Sequence, residues 1–367
     1  MRVKKYIQQR SYSMNILLTG ATGFVGKRLI KELIVEGHEL YLLVRSEYKY
    51  QTLLESLSKS DAQKVHAIYG DITSINLGIS QLVADDLKHN IDAIYHMAAL
   101  LSFDENRKDE TFRINVEGTK NVLEFAKAIA VTKFIYVSTA YTLGKKTYAS
   151  ETLHNTNGLF VNPYEESKCA TEHLALEYNK YFEVSIMRPS IIIGDSVTGE
   201  ADTTFALYGL LRGLKLLKRK VSKQDNWQET NYRLKIEPKT ASNIVPVDYV
   251  AKVLALGLKY AEANKIYHIT NPNPPSHESV FELIREVLDF PNLELSPHLE
   301  PQYFSEMELF LNSPLSVFHE YWDRTITFEI ENTKELLSSA GEKELDLTLE
   351  TLKKIISTFV ADKVAVE

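Results

Sequence analysis

Apolar residues along this chain fall into short runs that alternate with stretches of helical spacing. NILLT (15–19) is a compact apolar run closed by glycine and predicts a buried strand. Val25, Leu29, Ile30, Leu33 and Ile34 then recur every three or four residues, the apolar stripe of a helix over 24–36. A return to strand is expected at 38–44, with further strands near 65–69, 91–97, 132–138 and 184–188. Helices are expected between them near 79–88, 107–130 and 164–182. Mostly apolar strands separated by helices belong to a parallel sheet covered on both faces. Right-handed crossovers make such a sheet doubly wound.

The pattern loosens after about residue 195. A helix is expected over 203–220, irregular chain over 221–242, a strand at 243–247, a helix at 248–261 and a strand at 265–270. Ser276, in the loop NPNPPSHES (271–279), can cap a helix running to about 289. An amphipathic helix near 346–361 closes the chain. The expected division is a leader (1–13), a nucleotide domain (14–195, with 243–261 returning to it) and a substrate lobe (196–242 and 262–367). The fold class is α/β, a Rossmann-type doubly wound parallel sheet with a smaller, mostly helical C-terminal lobe.

Candidate chemistry begins with TGATGFVG (19–26), placed directly between the first strand and the first helix. Glycine there permits a tight turn and a close backbone approach, and the helix N-terminus attracts a pyrophosphate. Gly20, Thr22, Gly23, Phe24, Val25 and Gly26 are the candidate cradle. At the end of the second strand, where an acidic residue would hold an NAD ribose, the chain reads Val44-Arg45-Ser46. Arg45 suits a 2′-phosphate, with Lys27 or Arg28 as helpers, so the cofactor reading is NADP(H). The competing reading of Arg45 is a solvated strand end. Asp71 and Ile72 in GDI (70–72) would sit by the adenine, and the small Ala98 and Ala99 of HMAA (96–99) beside the cofactor. His96 reads as packed and hydrogen-bonded.

Tyr164 and Lys168 in YEESK share one helix face. A lysine ammonium near a phenol favours phenolate, so Tyr164 is expected to have a lowered pKa. Ser138 and Thr139 end the fifth strand in YVSTAY, at the edge where open parallel sheets bind ligands. Thr139 and Tyr164 would direct two donors at one oxygen. Lys168 would hold the nicotinamide ribose, and Asn115 in INVEGT would support Lys168 through a water. Tyr and Lys at this spacing occur by chance on many helices, and it is the ordered set that carries the reading.

The order TGATGFVG, GDI, HMAA, NVEGT, VSTAY, YEESK and RPSIIIG (188–194) resembles the extended short-chain dehydrogenase/reductase family over roughly residues 14–290. YLLVR (41–45), LGIS (77–80), HMAALLSF (96–103) and RPSIIIGDSVTGE (188–200) are similar to fatty acyl reductases and thioester reductase domains. The resemblance implies catalytic roles for Thr139, Tyr164 and Lys168, and places Pro189 and Ser190 beside the nicotinamide. It implies reduction of an acyl thioester or related carbonyl. The chain carries no adenylation or carrier domain, so the acyl group is expected on CoA or a separate acyl carrier protein. A monomer or homodimer would be typical of the family.

Composition narrows this little. Hydrophobic content of 44% with 25% charged residues is that of a soluble globular protein, and 367 residues suffice for two coupled lobes. A net charge of −7 disfavours a nucleic-acid surface. Cys169 is the single cysteine, which suits a reducing compartment such as the cytoplasm, and it reads as packing rather than as a nucleophile. No metal-ligating motif is present. No run reaches the 18 or so apolar residues of a membrane span; Asp248 and Lys252 interrupt the longest. The basic run RGLKLLKRKVSK (212–223) reads as the solvated face of a helix, with CoA phosphates, an acidic carrier or a membrane surface as the alternative. Two other functions stay open. One is a sugar-nucleotide epimerase or dehydratase, or a hydroxysteroid-type dehydrogenase. The other is a non-catalytic NADP-binding regulator.

Overall fold

Alternation along the first strand sets the layers. Ile16 and Leu18 face one side with Leu29 and Leu33, while Leu17 faces the other with Val122 and Phe125. The computed structural model describes residues 13–203, 205 and 207–362. Seven strands form one parallel sheet: β1 (Asn15–Thr19), β2 (Glu39–Val44), β3 (Val65–Tyr69), β4 (Ala93–His96), β5 (Lys133–Val137), β6 (Glu183–Pro189) and β7 (Ile266–Ile269). Their order is β7-β6-β5-β4-β1-β2-β3, so the winding reverses between β1 and β4. A crevice opens at such a reversal, outside the carboxyl ends of the strands.

Seven helices matter for the site: α1 (Phe24–Val35), α2 (Gly118–Ala128), α3 (Pro163–Leu176), α4 (Leu207–Val221), α5 (Val247–Tyr260), α6 (His277–Leu288) and α7 (Leu349–Ala361). α1 and α5 pack together on one face of the sheet, and α2 covers the other. α3 starts cleanly because Asn162 caps it, Pro163 opens it and Glu165 and Glu166 lie in its first turn. The lobe has its own core, where Leu211, Leu214 and Leu217 of α4 meet Phe281, Ile284, Ile355 and Phe359 of α6 and α7. Among the described residues no helix is long and apolar enough to cross a membrane.

The structure departs from the sequence reading in several places. The segment 265–270, assigned to the lobe, supplies β7 and pairs with β6, so the sheet takes a strand from beyond the drawn boundary. The strand expected at 243–247 is Ile244–Pro246; it pairs with Ile191–Ile193 in a separate two-stranded sheet, and only α5 after it packs on the main sheet. Within the irregular stretch 221–242, Tyr232–Leu234 pairs with Leu293–Leu295. A helix at Glu47–Glu55, capped by Ser46, buries only Tyr50 and Leu53 and so shows no apolar stripe in the sequence. The helix expected over 107–130 contains a π-helical turn at Arg113–Glu117. Apart from Ser13, the expected leader lies outside the described residues.

Candidate active site

The switch point is built from backbone. Gly20 has φ of +72°, and a Cβ there would lie 2.8 Å from the Ala98 nitrogen. Only glycine lets β1 turn this close to the end of β4. A Cβ on Gly26 would meet the Ala21 carbonyl at 2.5 Å, so α1 begins pressed against the turn. Gly23 caps α1 without a side-chain bond, and no acidic residue lies in the first turn. The first amides of α1 are thus free for an anion. Below them His96 bridges Thr19 at 2.6 Å and Thr119 at 2.8 Å, and Thr19 Oγ1 accepts from the Ala98 amide at 3.2 Å. Burial, and secondarily Lys168, holds His96 neutral with a pKa of about 3. His96 is a packed, hydrogen-bonded residue, as expected.

At the outer end of β2, the Arg45 side chain is 74% exposed and its guanidinium lies 3.7 Å from Asp71. Burial acts to raise the Asp71 pKa, but the Thr73 amide and hydroxyl, with Arg45, outweigh it and hold the carboxyl low. Ile72 is buried, and its carbonyl accepts from the Asn121 amide at 2.8 Å. Lys27 pairs with Asp202, and Arg28 with Asp195 and Glu32, so both proposed helpers already hold acidic partners.

One cavity of about 410 Å³ joins the cradle to the chemical residues. Gly20, Gly23, Phe24, Val25, Gly26 and Ala99 line it, and so do Ser138, Thr139, Tyr164, Lys168, Pro189 and Ser190. Thr22, Arg45, Asp71, Ile72, Ala98 and Asn115 do not. The Ser138 and Ser190 hydroxyls are buried without a hydrogen-bond partner. Together with the glycine clearance, they fit a polar group lying along this wall. Thr139 Oγ1 accepts from the Tyr141 amide at 3.3 Å, which leaves its proton to donate. Lys168 Nζ donates to the Val137 carbonyl at 2.8 Å and lies 4.7 Å from the centre of the Tyr136 ring. It is therefore fastened to the strand that leads into Thr139.

Two expectations need correcting. The Tyr164 pKa is raised, first by burial and then by the Glu165 carboxylate. Lys168 does not lower it, because burial pulls that lysine itself down to about 7. Tyr164 is consequently a neutral phenol, a hydrogen-bond donor, at neutral pH. Asn115, in the π-helical turn, commits both amide protons, to the Leu100 carbonyl at 3.0 Å and Ser167 Oγ at 2.9 Å, and accepts from the Leu100 amide at 2.7 Å. It ties the loop after β4 to α3 rather than reaching toward Lys168.

Other parts of the lining are aromatic and acidic side chains. Phe103, Phe205 and Phe318 enclose one another with ring centroids 5.2–6.0 Å apart. Glu165, 1% exposed, accepts from Tyr321, which in turn accepts from Asn162 Nδ2 at 2.7 Å. Burial raises the Glu165 carboxyl to about 7. Glu165 lies inside YEESK and Phe103 inside HMAALLSF, so both stood within quoted motifs. No sequence signal marks Tyr321, 157 residues past Tyr164 and joined to Glu165 only by folding.

Residues 18–254 match the NAD-binding family described as male sterility protein. The chain belongs to that family. Its fold is that of the extended short-chain dehydrogenase/reductase group. A terminal R domain from the myxalamid PKS-NRPS biosynthetic pathway superposes with a TM-score of 0.78 and 26% identity, over 95% of this chain and 91% of that one. The L-2-aminoadipate reductase large subunit of Penicillium chrysogenum is 27% identical over 287 residues, 68% of this chain and 19% of that protein. The fatty acyl-CoA reductase wat of Drosophila melanogaster is 28% identical over 245 residues, 54% of this chain and 47% of that protein. The chain thus spans less than half the length of these two curated relatives.

Proposed function

We propose that this protein is an NADPH-dependent reductase of an acyl thioester. One observation carries the reading: Thr139, Tyr164 and Lys168 line the same cavity as the glycine cradle, and Phe103, Phe205 and Phe318 line it with them. Phe103, Phe205 and Phe318 suit an acyl chain and offer nothing to the hydroxyls of a nucleotide sugar. The mostly apolar lining disfavours the epimerase reading. Arg45, exposed at the end of β2 with no acidic residue beside it in the strand, favours a 2′-phosphate and hence NADPH.

Bound NADPH supplies hydride to the thioester carbonyl carbon. Thr139 and Tyr164 donate hydrogen bonds to the carbonyl oxygen as negative charge develops on it. The raised pKa of Tyr164 keeps its proton in place for this role. Collapse of the adduct expels the thiol and leaves an aldehyde, which the same donors can hold for a second reduction to the alcohol. Lys168 keeps further N–H donors for the ribose hydroxyls. Asn115 is a positioning residue, setting the 97–103 loop against α3. The acyl group arrives on CoA or on a carrier protein.

The reading is tested by following NADPH and NADH oxidation with long-chain acyl-CoA, acyl carrier protein thioester, a nucleotide sugar and a steroid. Turnover is expected only with thioesters and faster with NADPH. Arg45→Ala should lower the preference for NADPH roughly 10- to 100-fold, the worth of a charge-assisted bond. Turnover of the nucleotide sugar alone would overturn the reading.

A further inference from the structure

Most lobe residues lining the cavity are apolar, among them Ile236, Ile244, Val280 and Phe281. Ser242 and His277 break that wall. They are 35 positions apart and meet with Ser242 Oγ 2.8 Å from His277 Nε2. The other ring nitrogen fixes the proton arrangement. His277 Nδ1 lies 3.1 Å from the Glu237 backbone carbonyl and 3.1 Å from Thr240 Oγ1. A carbonyl has no proton to give, and the Thr240 hydroxyl is already directed at the Trp322 and Glu237 carbonyls. Nδ1 therefore carries the hydrogen, and Nε2 presents its lone pair. Ser242 must donate to that lone pair, and among the described residues no protein donor answers its own oxygen. What the wall offers the cavity here is a hydrogen-bond acceptor held in place.

We propose that Ser242, oriented by His277, forms a subsite that accepts a hydrogen bond from the acyl portion of the substrate, a hydroxyl or an amide N–H carried on the chain. This deepens the thioester reading and rests on it. A plain hydrocarbon chain would bury the Ser242 oxygen without a partner, whereas a donor-bearing chain satisfies it. A site built to bond a polar group rejects the analogue that lacks it more strongly than an apolar site rejects an added group. The selectivity thus runs toward hydroxylated or amide-bearing acyl groups. The amide protons of a pantetheine arm have the same chemistry, so the test must separate arm from chain.

Three CoA thioesters of matched length decide it: a plain chain, one with a mid-chain hydroxyl and one with a mid-chain amide. The wild-type protein is expected to favour a donor-bearing chain about tenfold or more in kcat/KM. Ser242→Ala should bring that ratio near one by slowing the donor-bearing chain and not the plain one, and Ser242→Thr should restore it. Equal loss on all three thioesters would assign the contact to the arm or to folding and overturn the proposal. An unchanged ratio would overturn it too. A readout that needs no turnover separates this failure from that of the thioester reading: the dissociation constants of methyl decanoate and of a methyl ester of matched length carrying a mid-chain amide, in the presence of NADP+. The amide-bearing ester should bind about tenfold tighter to the wild type and equally to Ser242→Ala. Amide preference without any thioester reduction would remove the reductase reading and leave the subsite standing. Equal affinities in the wild type would remove the subsite.

Discussion

Around the ends of β1 and β4 the cavity wall is backbone, held by short bonds such as Thr19 to His96 at 2.6 Å and by a glycine with no room for a methyl group. Toward the lobe the wall is side chain, where Phe103 of the loop after β4 meets Phe205 and Phe318 of the lobe with ring centroids 5.2–6.0 Å apart. The first kind of wall tolerates few substitutions, because a Cβ or a lost donor cannot be absorbed by rotation. The second can be rebuilt from many apolar residues. Such a division suits an enzyme that keeps one cofactor and changes its substrate.

The contrast is broken most severely in the buried polar frame of the nucleotide half. Arg188 on β6 and Glu172 on α3 are both fully buried and joined by two bonds, at 2.8 and 2.6 Å. The nearby His268 and His154 are held neutral at about 3 and 4, first by burial and then by Arg188 itself, so neither can replace the carboxylate. Glu172→Gln should cost about 3–5 kcal/mol in urea unfolding, the loss typical of a guanidinium left buried alone. A loss below 1 kcal/mol would show that this frame is dispensable.

A smaller effect is expected where the two regions meet, at Glu165 and Tyr321. The folded Glu165 carboxyl titrates near 7, against 4.5 for an unperturbed one. A raised folded pKa gives stability that is complete below 4.5 and is lost as pH rises toward 7. The decline should amount to on the order of 3 kcal/mol and level off above pH 7. Glu165→Gln should flatten that slope while leaving the acid limb set by other groups. A variant with the wild-type slope would remove Glu165 from the account.

Smallest is the effect in the lobe. Phe318→Ala removes contacts to Phe103 and Phe205 worth about 0.5–1.5 kcal/mol beyond area burial. The KM for a long-chain thioester should rise about three- to tenfold, with NADPH affinity unchanged. An equal loss of NADPH affinity would mean that the two walls are not independent.

The same contrast explains what was legible before folding. TGATGFVG, VSTAY and YEESK are contiguous runs fixed to strand ends, so spacing alone placed Gly20, Thr139, Tyr164 and Lys168 on the elements where they are found. The side-chain wall draws on residue 103 of the nucleotide domain and residues 205, 242, 277 and 318 of the lobe, which no local period connects. Three-residue strands such as Tyr232–Leu234 are too short to show alternation. β7 comes from beyond residue 261 because membership in a sheet depends on pairing, which periodicity does not carry. Helix spacing shows Tyr164 only its neighbour Lys168, whereas the burial that decides its pKa is a property of the closed fold.

The central claim is that Tyr164 donates its proton as a hydrogen bond to the oxygen of a thioester carbonyl while the cradle separately holds the cofactor. Single-turnover oxidation of NADPH by an acyl-CoA, compared between wild type and Tyr164→Phe with NADPH affinity measured on the same samples, tests it most directly. The account predicts hydride transfer slowed about a hundredfold or more with the affinity within twofold. Equal rates in the two proteins would contradict it.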